Sequence, residues 1–166
     1  MIRLKKILVA TDFSDASETA LAYGRELTRS FDAALTVLHV VADALPGSYG
    51  LEGGMMLNNP GTQREIEAAA REQVDASISP EDRVQLNANG MVLVSSAPAA
   101  AIVEYARETG SNLVVMGTHG RGGIAHLLLG SVAEQVVRTA PCPVLTVRHP
   151  EHEFVIPDAL VAVTKA

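Results

Sequence analysis

The chain has 166 residues, 48% of them apolar and 19% charged. That is one domain's worth of polypeptide with enough apolar side chain for a full core, and it excludes a disordered or fibrous chain. Lys and Arg number 13 against 19 Asp and Glu, a net charge of −6, which argues against broad electrostatic binding to nucleic acid or anionic membrane while leaving room for a local basic site. One cysteine excludes an intrachain disulfide and a Cys/His zinc site, and the absence of tryptophan with 4% aromatics argues against a base-stacking surface.

Arg3, Lys5 and Lys6 precede the apolar run Ile7-Leu8-Val9-Ala10, but Asp12 ends it long before the ~7–15 residues of a signal core. No segment approaches the ~20 apolar residues of a membrane span. A soluble, cytoplasmic protein is expected. Lys6–Ala10 is instead the first of several short, continuous, β-branched runs. Ser14 or Asp15 can cap a following helix with Ala16, Ala20, Tyr23, Leu27 and Phe31 on one face. Leu35–Val41 predicts a second strand, with His39 read as a core or hydrogen-bonded histidine.

Residues 42–61 are rich in Gly and Pro and predict a long surface loop, the kind that serves elsewhere as a lid or a partner contact. Thr62-Gln63-Arg64-Glu65 has the form of a capping box ahead of Ile66, Ala69, Ala70 and Val74. Val84–Val94 predicts a third strand, with Asn89-Gly90 as a bulge or break. Pro98 opens a helix through Ile102, Tyr105 and Ala106, and Gly110 stops it. Leu113–Met116 is a fourth strand. Ser131-Val132-Ala133-Glu134 reads as another capping box, ahead of Val136, Val137 and Ala140, and Val144–Val147 is a fifth strand. Apolar runs without polar alternation fit strands covered on both faces. The order βαβαβαβαβ predicts an α/β fold with a doubly wound, five-stranded parallel sheet and helices on both faces. Ligands bind such sheets beyond the carboxyl ends of the strands where strand order reverses. That directs attention to 10–14, 40–43 and 117–131.

The segment from Gly117 to Ser131 carries most of the functional signal. It leaves a strand, passes Gly120, Gly122 and Gly123, and enters a helix at Gly130-Ser131. Glycines let backbone N–H groups approach an anion, and a helix N-terminus adds free N–H groups and positive dipole. Arg121 and His119 add positive charge. The pattern is neither a Walker A loop nor a Gly-x-Gly-x-x-Gly fingerprint. Asp12, at the end of the first strand, suits ribose hydroxyls or a metal-bound water, or else a helix cap. Cys142, between two prolines, reads as structural, and His149 and His152 lie in a polar stretch.

Gly117-x2-Gly120-x9-Gly130-Ser131 resembles the ATP-binding motif of the universal stress protein family. Lys5-Lys6-Ile7-Leu8-Val9-Ala10-Thr11-Asp12-Phe13-Ser14 is similar to its first strand and turn, Leu38-His39-Val40-Val41 to its second strand end, and Pro141-Cys142-Pro143-Val144-Leu145 to its last strand. The resemblance runs over about 2–148. It implies a Rossmann-like fold with strand order 3-2-1-4-5, a nucleotide-binding domain at 1–148, and a homodimer paired through the last strand. It also implies ATP (or ADP or AMP) with Mg2+ or Mn2+ as ligand. Ala10, Thr11 and Asp12 would contact adenosine, and Val40 would offer backbone groups to adenine. Met116 would line the pocket, and Gly117, His119, Gly120, Arg121, Gly130, Ser131 and Val132 would surround phosphates and ribose. The chain departs from the family at Ser96-Ala97-Pro98, where Gly-x-Pro is usual, and in the extension 149–166. Phe154, Val155, Ile156, Leu160, Val161 and Val163 make that extension apolar, so packing on the domain or on a dimer partner is expected.

The resulting expectation is an adenine-nucleotide-binding stress-response regulator without dedicated catalysis. His119, His126 and Asp12 are the only candidates for phosphoryl chemistry, and none has an identifiable orienting partner in the sequence. A slow ATPase or nucleotide-transferring enzyme is the alternative, and a nucleotide-free interaction module of the same family is the other.

Overall fold

The computed structural model describes residues 2–43, 60–118 and 130–149. In chain order the elements are β1 (Lys6–Thr11), α1 (Asp15–Phe31), β2 (Ala34–Val41), α2 (Pro60–Ser77), α3 (Pro80–Gln85), β3 (Asn89–Val94), α4 (Pro98–Thr109), β4 (Leu113–Gly117), α5 (Ser131–Thr139) and β5 (Val144–Val147). The strands form one sheet in the order β3-β2-β1-β4-β5, and every pairing is parallel. The Rossmann-like architecture and the 3-2-1-4-5 order expected from the sequence are both present.

Side chains of a strand alternate between faces, and here both faces are covered. Ile7 and Val9 of β1 join Leu35, Val37, Val115 and Val147 in a core closed by Ala20 and Leu21 of α1, Ala70 and Val74 of α2, and Ile78 just beyond α2. Leu8 and Ala10 join Leu38, Val114 and Met116 in a second core closed by Ile102, Val103 and Ala106 of α4 and Ala133 and Val136 of α5. This is why the strands read as unbroken apolar runs.

Three expectations change. The run Val84–Val94 is not one strand: Pro80–Gln85 is a short helix, and the strand begins at Asn89. Ser79 caps that helix reciprocally with Asp82, and Val84 is 84% exposed; an apolar side chain there took no part in the core. The capping box expected at Thr62 is absent because α2 already begins at Pro60. The buried face of α1 is Ala16, Ser17, Ala20, Leu21, Gly24 and Thr28, whereas Tyr23 and Phe31 are 42% and 36% exposed. Small residues face the sheet because the helix lies close to it, which leaves the aromatics on the outside. Ser14 is the N-cap of α1, and Gly110, at φ 65°, ends α4 as expected.

A buried ion pair fastens α3 to α1. The Asp82 carboxylate lies 2.9 Å from Arg25 Nε, accepts from the Ser79 backbone N–H at 3.1 Å, and has Arg29 at 3.8 Å. Arg25 also donates to the Ser77 carbonyl at 2.6 Å. Burial by itself raises the Asp82 pKa. The hydrogen bonds from Ser79 and Arg25 and the Arg25 charge outweigh it, so the carboxyl is held below its ordinary value.

Candidate functional site

The switch point of the sheet lies between β1 and β4. The connection after β1 leads to α1 on one face, and that after β4 leads to α5 on the other. A crevice opens between two such connections at the carboxyl ends of the strands.

Its first wall is the turn Thr11–Ser14. Phe13 sits at φ 62°, a left-handed conformation uncommon for a bulky residue, and a polar network holds it there. The Phe13 N–H donates to Thr11 Oγ1 at 3.0 Å. The Ser14 N–H and hydroxyl both donate to Asp12 Oδ1, at 3.1 and 2.6 Å. Ser17 Oγ donates to the Ser14 carbonyl at 2.9 Å, so in its 3.0 Å contact with Thr11 Oγ1 it is the acceptor. Asp12 therefore braces the turn but does not cap the helix; Ser14 does that.

His39, opposite Thr11 in the sheet register, anchors the same turn. Its Nδ1 lies 2.8 Å from the Thr11 carbonyl. A carbonyl only accepts, so Nδ1 carries the proton. The imidazole also packs on the Phe13 ring, with centroids 4.5 Å apart and tilted by 39°. The hydrogen-bonded reading of this histidine holds, and the structure adds that the group it fixes belongs to the candidate site.

The second wall is the end of β4. Met116 pairs with Ala10 in register, and both lie in the core on the α4/α5 side. Val40 and Val132 pack, partly buried, against that same core. The fold thus brings Ala10, Val40, Met116 and Val132 to one face at the carboxyl ends of β1, β2 and β4.

Past β4, the Thr118 N–H donates to the Val147 carbonyl at 2.8 Å, and the Thr118 carbonyl accepts from the Gly130 N–H at 2.7 Å. The described residues on either side of the glycine-rich segment, Thr118 and Gly130, are therefore joined to each other at the crevice rim. His119, Gly120 and Arg121, with His126, lie outside the described residues.

Gly130, rather than Ser131, is the N-cap of α5, and no side chain caps this helix. Ser131 is its first residue and is exposed. The capping box expected at Ser131–Glu134 is corrected accordingly. The first intrahelical bond runs from the Glu134 N–H to the Gly130 carbonyl. No acceptor among the described residues meets the N–H groups of Ser131, Val132 and Ala133. α1 and α3 differ, each beginning with a serine that satisfies a first-turn N–H. An uncapped helix start with its positive dipole end at a strand terminus is suited to a phosphate or carboxylate.

Gly117 has a role that its motif does not announce. A Cβ there would stand 3.0 Å from the carbonyl carbon and the Cβ of Ala16 and 3.1 Å from the Ser17 nitrogen. Its missing side chain lets the first turn of α1 lie against the end of β4, which brings the two walls together.

Residues 3–148 match the sequence profile of the universal stress protein family. The chain belongs to the universal stress protein family. A universal stress protein of Methanocaldococcus jannaschii is 34% identical over 149 residues, covering 90% of this chain and 85% of its own. Two solved relatives carry ligands. A universal stress protein from Archaeoglobus fulgidus in complex with dAMP superposes with a TM-score of 0.57 at 26% identity, over 88% of this chain and 98% of that one. A universal stress protein in complex with cAMP superposes with a TM-score of 0.59 at 27% identity, also over 88% of this chain and 98% of that one.

Among the described residues no three His, Cys, Asp or Glu converge to hold a metal ion. Burial raises the pKa of the Cys142 thiol against the opposing effect of a backbone hydrogen bond from Val114, so this cysteine is not an activated nucleophile. No helix among the described residues is long and apolar enough to cross a membrane.

Proposed function

We propose that this universal stress protein is a regulatory module that binds an adenine nucleotide, ATP being the first candidate, in the crevice between β1 and β4. The observation that carries the reading is the start of α5 at Gly130, with no side-chain cap and joined by a hydrogen bond to Thr118 at the end of β4. In this reading Ala10, Thr11 and Asp12 meet the adenosine, Val40 offers backbone groups to adenine and Met116 lines its pocket. Gly117, His119, Gly120, Arg121, Gly130, Ser131 and Val132 surround ribose and phosphates. Relatives with dAMP and cAMP bound support adenine, a pentose and one phosphate as the shared recognition unit. Mg2+ or Mn2+ accompanies a polyphosphate ligand.

Calorimetric titration with ATP, ADP, AMP and cAMP tests this. Binding should be lost in Gly130→Val and in Gly120→Val, because a branched side chain fills phosphate space. Unchanged affinity in both variants overturns the site. Mass spectrometry of co-purifying nucleotide identifies the natural ligand. Release of phosphate over many turnovers with Mg2+, lost in Ser131→Ala, would instead favour the slow ATPase.

Among the described residues β5 pairs only with β4, and this supports a homodimer formed through it. Sedimentation of the full chain measures that assembly.

A further inference from the structure

His39 and Val40 are neighbours near the end of β2 and point to opposite faces of the sheet. Val40 packs on the core that holds Ala10 and Met116, on the α4/α5 side. His39 turns to the other side, where its half-buried ring reaches across to the turn after β1. It meets that turn at two points. Nδ1–H donates to the Thr11 carbonyl at 2.8 Å, and the ring packs on Phe13 at a centroid distance of 4.5 Å. Asp12 lies between the two residues so held. Thr11 is secured a second time, because its hydroxyl accepts from the Phe13 N–H and donates to Ser17 Oγ, both at 3.0 Å. Phe13, at φ 62°, occupies a conformation that persists only where its surroundings impose it.

We propose that His39 is a positioning residue for the candidate nucleotide site: by clasping Thr11 and Phe13 it fixes the turn, and with it the Asp12 carboxylate, in the shape a ligand meets. Its effect on binding rests on the adenine-nucleotide reading of the crevice; its hold on the turn does not. The hydrogen bond, more than the ring contact, supplies the positioning. Apolar contact is non-directional and tolerates sliding, whereas an N–H aimed at a carbonyl fixes both distance and direction. Two substitutions separate these contributions. Asparagine keeps an N–H donor the same number of bonds from the backbone and loses the ring. Phenylalanine keeps a ring and loses the donor. A role in packing alone ranks phenylalanine above asparagine at this half-buried position. Positioning through the hydrogen bond ranks them the other way.

Amide hydrogen exchange and calorimetric titration with AMP and ATP, on the full chain carrying His39→Phe or His39→Asn, test it. Exchange rates are read against the Val9 amide in the buried centre of β1, which reports global opening. In His39→Phe the Phe13 and Ser14 amides should exchange about tenfold faster than in the parent chain, and nucleotide affinity should fall by about the same factor, the size set by one hydrogen bond. In His39→Asn both should stay within about threefold of the parent. Nitrogen NMR of the parent ring should find the proton on Nδ1. A proton on Nε2 alone overturns the proposal, as does a phenylalanine variant that matches or exceeds the asparagine one. A loosened turn with unchanged affinity overturns it as well. A parent chain that binds neither nucleotide sinks the nucleotide reading instead, and the exchange ranking then decides by itself whether His39 holds the turn.

Discussion

Gly117 at the end of β4 and Ala16 in the first turn of α1 are packed so closely that a methyl group on Gly117 would lie 3.0 Å from the Ala16 backbone and side chain. The neighbour on one side is backbone, which cannot swing aside. Gly117→Ala should therefore push the two walls of the crevice apart. An overpacking cost of about 1–3 kcal/mol is expected from urea denaturation. Nucleotide affinity should fall with it, and a variant with native stability and native affinity would remove Gly117 from this role.

Asp82 and Arg25 join elements 57 residues apart in sequence. Asp82→Ala removes the reciprocal half of the α3 capping box, the bond from the Ser79 N–H, and leaves Arg25 without its carboxylate, at a cost of about 2–4 kcal/mol. Because the folded carboxyl titrates below its ordinary value of 3.8, its stabilisation is complete above that pH and is lost as pH falls through the lowered pKa. Denaturation midpoints measured between pH 2 and 6 should show a shallower acid-side decline in Asp82→Asn than in the parent chain.

Asp32 ends α1 at φ 51° and ψ 52°, with its N–H bonded to carbonyls of the last turn. Its backbone carries the αL cost that glycine avoids. Asp32→Gly should raise stability by about 0.5–1 kcal/mol. Thermal unfolding checks this, and a lowered midpoint would show that the aspartate side chain outweighs the backbone cost.

The half-buried Cys142 thiol has its pKa raised above 9.0 by burial. At pH 8 it should alkylate with iodoacetamide more than tenfold more slowly than in the unfolded chain. A rate equal to the unfolded one would place this thiol in solvent.

Much of this protein was legible from local pattern. Ile7-Leu8-Val9-Ala10 and Leu113-Val114-Val115-Met116 reveal buried parallel strands, because side chains on both faces must be apolar when helices cover both. Gly117, Gly120, Gly130 and Ser131 reveal the family through their spacing. Ser79, Pro80 and Asp82 were the available signals for α3, but the apolar Val84 beside Leu86 outweighed them in a reading based on hydropathy.

The tertiary structure alone decided what depends on contacts distant in the chain. It made Gly130 the helix cap, turned Asp12 into a brace for the turn, and tied His39 to the Thr11 carbonyl across 28 residues. It also set small residues of α1 against the sheet and left Tyr23 and Phe31 outside. Periodicity marks which positions are apolar; it carries no information about how closely a helix approaches its sheet, and that distance selects which of them are buried.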